Sequence, residues 1–367
     1  MLKKGGMNDE NILVFMYDDI ALAEDNPKPG VIINKPDGKD VYKGVPKDYI
    51  KDDVNAANLH AVILGNNSAL SGGSGKVLHS GPNDHVFIYY TDHGATGLIG
   101  MPVGDPVYAK DLVHAFINLF IKIIYMSMFE GLLPNKESSY ATYCPGQVHV
   151  PPEYHTCLGD LYSLSWMEDC DAEDLQTETL AKQYELVRKR TNASHVMEYG
   201  DMSHRQDVLS TYIGRAPAAN PSYTSLPSKT PPHRAQGLLA NSTLTSFTSC
   251  SRFKLLFHGA PTGSQKKLEA QKQLLDEISQ REHADCSVKK IGELLFGNEM
   301  ASKALMNVRP LGKPLVDDWD CFKTLVSPSL GTYERRCGGL SRYGRNNTRA
   351  IANICNAGTS MEKMDAA

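Results

Sequence analysis

The sequence predicts an α/β fold followed by a small all-helical region. Three observations carry this. Short runs rich in Ile, Val and Tyr, bounded by Asp, Gly and Asn, recur through the first half, as buried strands of a mostly parallel sheet do. An amphipathic stretch of helical spacing stands between two of those runs. From residue 264 onward the periodicity becomes helical.

Taken in order, NILVFMY (11–17), AVILGN (61–66), HVFIYY (85–90) and IKIIYM (121–126) are the predicted strands. AKDLVHAFINLF (109–120) is the predicted crossover helix. The stretch 213–237 is crowded with Pro, Ser and Ala and reads as a linker or exposed loop. The segment 246–261 has no clear pattern. Ser264 is a predicted N-cap, and behind it Leu268, Leu275 and Ile278 fall near one helical face. Val288, Ile291, Leu294 and Leu295 repeat that pattern in SVKKIGELLF (287–296). The domain division expected is a core over 1–225, a linking segment over 226–263 and a helical region over 264–367.

The formal net charge of −4 argues against a nucleic-acid binder with a broad basic face. The first residues carry charge but no apolar core of the kind a secretory leader needs. The greasiest stretch, 112–133, is interrupted by His114, Asn118, Lys122 and Glu130, which argues against a membrane span. Eight cysteines stand at 144, 157, 170, 250, 286, 321, 337 and 355 without a CxxC pair, so zinc is not expected. N-x-[S/T] sequons begin at Asn66, Asn192, Asn241 and Asn346. Together with the cysteines they hint at a secretory history, in tension with the missing leader.

Asp92-His93-Gly94 follows a predicted buried strand, and the carboxyl end of such a strand is where α/β proteins place chemistry. A histidine there can take a proton from a nucleophile, and a following glycine lets a backbone N–H approach an oxyanion. The other reading is a loop histidine bonded only to backbone. SGGSGKV (71–77) resembles a phosphate loop but has Val77 where a magnesium-holding hydroxyl would stand, and reads as a surface loop. Cys144 and Cys157 flank a Pro-rich loop; if the protein is secreted they close a disulfide or, as the alternative, Cys144 is a reactive thiol, and if it is cytosolic neither holds. Ser138, Ser139 and Asp160 either line a pocket for an amide or basic group, or serve as caps and turn residues.

Ten motifs then occur in one order: VFMYDDIA, NPKPGVIIN, DVYKGVPKDY, AVILGN, GGSGKV, SGPNDHVFIYYTDHG, FEGLLP, TYCPG, CLGDLYSLSWMED and PLVDDWDC. Together they resemble the legumain family of asparaginyl endopeptidases, called vacuolar processing enzymes in plants. The resemblance runs from the first residues to about Gly358, with a poor patch over 238–257. It implies a caspase-like α/β sheet and a helical C-terminal prodomain that covers the active site. It also implies a vacuolar thiol protease that acts on proteins or peptides after Asn and, more slowly, Asp, with no cofactor. His93 matches the family's general base and Gly94 its oxyanion glycine. Ser138, Ser139 and Asp160 match its primary specificity pocket, and Cys144 and Cys157 match cysteines paired in plant members.

The resemblance also marks departures. In the family the strand before SMFEGLLP ends in Glu-Ala-Cys-Glu-Ser-Gly, and that Cys is the nucleophile. Here Met126 meets Ser127 directly, so the hexapeptide and its nucleophile are absent. Ser127 or Cys144 as replacement is disfavoured, because attack needs placement to about an ångström. The strand after FEGLLPN is skipped, the family's first central strand is not in the chain, and DHGATG replaces the usual Gly-Gly-Pro-Gly after the histidine. Cys321, Cys337 and Cys355 form an odd set, lacking the last cysteine of plant members. Asn298 and Asn307 are candidate processing sites by residue type alone. The expectation is a legumain-type protein that is catalytically dead as written and prone to aggregate through open strand edges. The alternative is a non-catalytic relative that binds peptides or a protease inhibitor as a decoy.

Overall fold

Local capping decides several elements of the computed structural model. The structure describes residues 2–3, 5–81, 83–118, 141–147, 149–191, 196, 201–214, 257, 260–310, 313–326 and 344–359. The first strand, β1 (Phe15–Met16), pairs in parallel with β2 (Tyr49–Ile50), with Phe15 opposite Tyr49. The Phe15 and Tyr49 rings stack at 4.3 Å, and Tyr49 is fully buried.

Helix α1 (Ala56–Ile63) follows, and it corrects the strand expected over 61–66. Asn55 accepts the Asn58 N–H as N-cap, and Ala61, Val62 and Ile63 are buried as the helix's last turn. A short apolar run has the same composition in a buried strand and in a helix end, so its period cannot tell them apart. The run 85–90 belongs to no β-ladder among the described residues, and 121–126 lies outside them.

Three short strands come next: β3 (Gly94–Ala95), β4 (Leu98–Ile99) and β5 (Val107–Tyr108), antiparallel in that order. The β3–β4 turn needs a positive φ, which Gly97 takes at +78°. Helix α2 (Ala109–Asn118) occupies the predicted crossover stretch. β6 (Ala141–Thr142) pairs antiparallel with β7 (Gly159–Asp160). Then come α3 (Leu161–Ala172), α4 (Leu180–Arg190, capped by Thr179) and α5 (Ser210–Ile213).

The C-terminal region is helical: α6 (Gln265–Phe296), α7 (Ala301–Leu305), α8 (Trp319–Val326) and α9 (Thr348–Asn356). Ser264 caps α6 by accepting the Lys267 N–H at 3.3 Å. The two predicted amphipathic segments are one continuous helix. Val288 and Ile291 are buried as expected, but Leu268, Leu275 and Leu294 are exposed. Val288 and Ile291 join the apolar core of the C-terminal helices, while in the first half of α6 Ala270 rather than the leucines is buried.

The described residues divide into two units. The first comprises those of 1–91, 113–118 and 141–214. Its α3–α4 pair surrounds a core of Trp166, Cys170, Leu175, Leu180, Val187 and Leu209. The second comprises the described residues of 92–112 and 257–359. In it Ala95, Leu98 and Tyr108 of the β3–β5 sheet share one apolar core with Phe322, Ile351 and Ile354. Cys321 and Cys355 are disulfide-bonded, tying α8 to α9. Among the described residues no helix is long and apolar enough to cross a membrane.

Candidate active site

His93 stands immediately before β3 and is half-buried. Its carbonyl accepts the Gly100 N–H at 2.6 Å, and its own N–H donates to Asp92 Oδ1 at 2.6 Å. The backbone on both sides of the imidazole is thus fixed by local bonds. Gly94 is the first residue of β3, opposite Ile99. At the hairpin tip, a Cβ on Gly97 would stand 3.4 Å from the Trp319 ring and 3.6 Å from Phe322, so the turn rests on these α8 aromatics. His93, Gly94 and this support all belong to the second unit.

Asp160 lies in the first unit, where β7 ends and α3 begins. Its Oδ1 accepts the Ser163 N–H at 2.8 Å, which makes it the N-cap of α3 and orients the carboxylate. The cap satisfies an otherwise orphan amide and places the charge at the positive end of the helix. Tyr89 donates its hydroxyl hydrogen to Ser163 Oγ and stacks on Trp166 with ring centroids 5.1 Å apart. Burial first, then the Tyr89 and Asp160 charges, holds the Tyr162 phenol above its ordinary range. An Asp just ahead of a helical stretch was the readable signal for the cap; the Tyr89 contact spans 74 residues and left none.

Cys144 and Cys157 are joined by a disulfide beside the β6–β7 ladder, closing the loop between them. Cys144 is therefore no thiol nucleophile, which removes the reactive-thiol alternative. Cys170 and Cys286 are the free cysteines among the described residues. Cys170 is buried on α3, where burial pushes its thiol up to about 12, and a thiol so shielded does not act as a nucleophile. Cys286 is exposed on α6. Ser138, Ser139 and the Met126–Ser127 junction lie outside the described residues. No group of three metal-ligating side chains occurs among the described residues.

The peptidase C13 family profile matches residues 1–132 and 134–215. The legumain prodomain profile matches residues 272–367. The chain is 50% identical over 394 residues to a vacuolar-processing enzyme of Vicia sativa, covering 99% of this chain and 78% of that protein. It is 49% identical over 401 residues to one of Citrus sinensis, with 99% and 78% covered. It is also 42% identical over 401 residues to a legumain of Canavalia ensiformis, with 100% and 82% covered.

Proposed function

The chain belongs to the peptidase C13 family, and from that premise we propose that it is a vacuolar asparaginyl endopeptidase by descent whose present sequence does not hydrolyse peptides. The family supports a cysteine endopeptidase acting on protein substrates and carrying a propeptide. The finer assignments are these. His93 is the general base and Gly94 the oxyanion donor. Ser138, Ser139 and Asp160 form the pocket for Asn and, more weakly, Asp. The helical region from 264 is the inhibitory prodomain, and the vacuole is the compartment.

One observation carries the inactivity: no cysteine precedes Cys144, so Met126 meets Ser127 where the family places its nucleophile. Thiolate attack is the first bond-forming step of this chemistry, and loss of a nucleophile removes several orders of magnitude of rate. Cys144 is held in a disulfide and Cys170 is buried, so neither supplies a thiolate to His93. An imidazole without a nucleophile to deprotonate retains no catalytic task.

The test has two parts. The source transcript is sequenced through the codons for Tyr125 to Ser127, and the purified full chain is incubated with Asn- and Asp-containing peptides at acidic pH. A junction as written, with no hydrolysis above background, is the expected result. Thiol-dependent cleavage after Asn by this chain would overturn it. Peptide binding without cleavage would favour the decoy reading over a merely inactive enzyme.

A further inference from the structure

We propose that Asn66 is an N-glycosylation site, its side-chain amide taking an oligosaccharide from a lipid-diphosphate donor. The proposal rests on the secretory route implied by the vacuolar reading. Asn66-Asn67-Ser68 satisfies the acceptor pattern, with no proline in the middle position.

The structure shows why the fold tolerates the modification there. Asn66 sits just past the end of α1. Gly65 leaves the helix at φ +66°, its N–H donates to the Val62 carbonyl at 3.2 Å, and the Asn66 N–H donates to the Ala61 carbonyl at 2.8 Å. This pair of bonds is a Schellman closure, which fixes the Asn66 backbone through main-chain atoms alone. The side chain is not needed to end the helix. Its Oδ1 accepts the Ser68 hydroxyl at 2.7 Å, so the two side chains that define the sequon already face one another. Asn66 Nδ2 donates to no protein group among the described residues, and Asn66, Asn67 and Ser68 are all exposed. A sugar on Nδ2 therefore displaces no contact.

The Asn346 sequon differs. Its hydroxyl residue, Thr348, is fully buried at the start of α9. The Asn192 and Asn241 sequons lie outside the described residues. In the transfer, a bond forms between Nδ2 and the sugar C1 while the bond from C1 to the diphosphate oxygen breaks. Nδ2 gives up one proton to the transferase, and the lipid diphosphate leaves.

The test expresses the full chain behind a secretory leader in plant cells and maps glycopeptides after enzymatic release of N-glycans in ¹⁸O-water, which converts a glycosylated Asn to labelled Asp. The expected result is label at residue 66, abolished by Asn66→Gln and Ser68→Ala and retained in Ser68→Thr. An unmodified Asn66 alongside a modified Asn192, Asn241 or Asn346 overturns the site while leaving the secretory reading intact. No label on any sequon under an enforced leader also overturns the site. The secretory reading is scored separately, by locating the protein made from its own transcript: a cytosolic protein would sink that reading whatever the leader-driven sample shows.

Discussion

The α3–α4 pair and the C-terminal helical core both bury apolar side chains, but only the first, among the described residues, encloses carboxylates as well. Between α3 and α4 the apolar core also encloses a cluster of buried polar groups. Trp166 Nε1 donates to Gln183 Oε1 at 3.0 Å, and Gln183 Nε2 donates to Asp169 Oδ2 at 3.2 Å. Asp169 and Glu178 are 0% and 1% exposed. Asp169 Oδ1 and both Glu178 carboxylate oxygens have no hydrogen-bond partner among the described residues. Lys182 Nζ stands 3.6 Å from Glu178 but is held at 2.6 Å by Glu173. The second core instead buries Leu98, Tyr108, Ile291, Phe322, Ile351 and Ile354, and is stapled by Cys321–Cys355. A buried carboxylate without donors costs stability whenever it is charged, whereas an apolar core is indifferent to protons. The stability of the first region is thus expected to depend on pH, and that of the second on packing and oxidation.

The largest expected effect sharpens this contrast. Phe322 is fully buried and meets Tyr108 and Trp319 edge to face, so Phe322→Ala is expected to cost about 3–5 kcal/mol. Calorimetry should show that loss equally at pH 5 and pH 7. Next is the staple. Cys321 and Cys355 are 34 residues apart, and replacing both by Ser is expected to remove about 3–4 kcal/mol, read as a lower urea midpoint. A midpoint within error of the parent would mean that the helices hold one another without the bond.

Third is pH. Burial first, then the Asp169 charge, pushes the Glu178 carboxyl up from 4.5 to about 7, with Lys182 opposing. Burial raises Asp169 as well. The folded chain therefore holds a proton that the unfolded chain releases earlier. Stability is complete below about pH 4.5 and is lost as pH rises through about 7, by on the order of 3 kcal/mol. Glu178→Gln should flatten that window, measured as hydrogen exchange of α3 and α4 amides at pH 5 and pH 7. An unchanged pH dependence in the variant would break the comparison. The smallest effect is Lys323→Met. Its Nζ lies 2.7 Å from Asp111 and 5.2 Å from the Tyr108 ring centroid, at a partly exposed site, so about 0.5–1 kcal/mol is expected in thermal melts.

What was legible in the sequence follows from range. The N-cap at Ser264 and the helix over 109–118 rest on neighbours within one or two turns, and local pattern found them. The end of α1 was misread because three buried residues, Ala61 to Ile63, satisfy strand and helix alike. Leu268 and Leu275 showed the right period, but burial depends on what lies opposite, which period does not encode. At the candidate site, the ordered motifs point to His93 and Asp160 as candidates, and the Asp160 cap is one of the two roles weighed for it. The facing of Asp169 and Glu178 requires α3 and α4 to be docked first, so no stretch of sequence announces it.

The chain holds two tryptophans, and they fall one to each unit. Trp166 is buried and stacks on Phe87 and Tyr89, while Trp319 is half-buried beside Phe322 at the hairpin tip. Intrinsic fluorescence is therefore a two-channel signal, one emitter reporting the pH-dependent helices and the other the disulfide-stapled core. With Trp319→Phe only the first channel remains, and with Trp166→Phe only the second, so a single cuvette can follow one region against pH and the other against reductant.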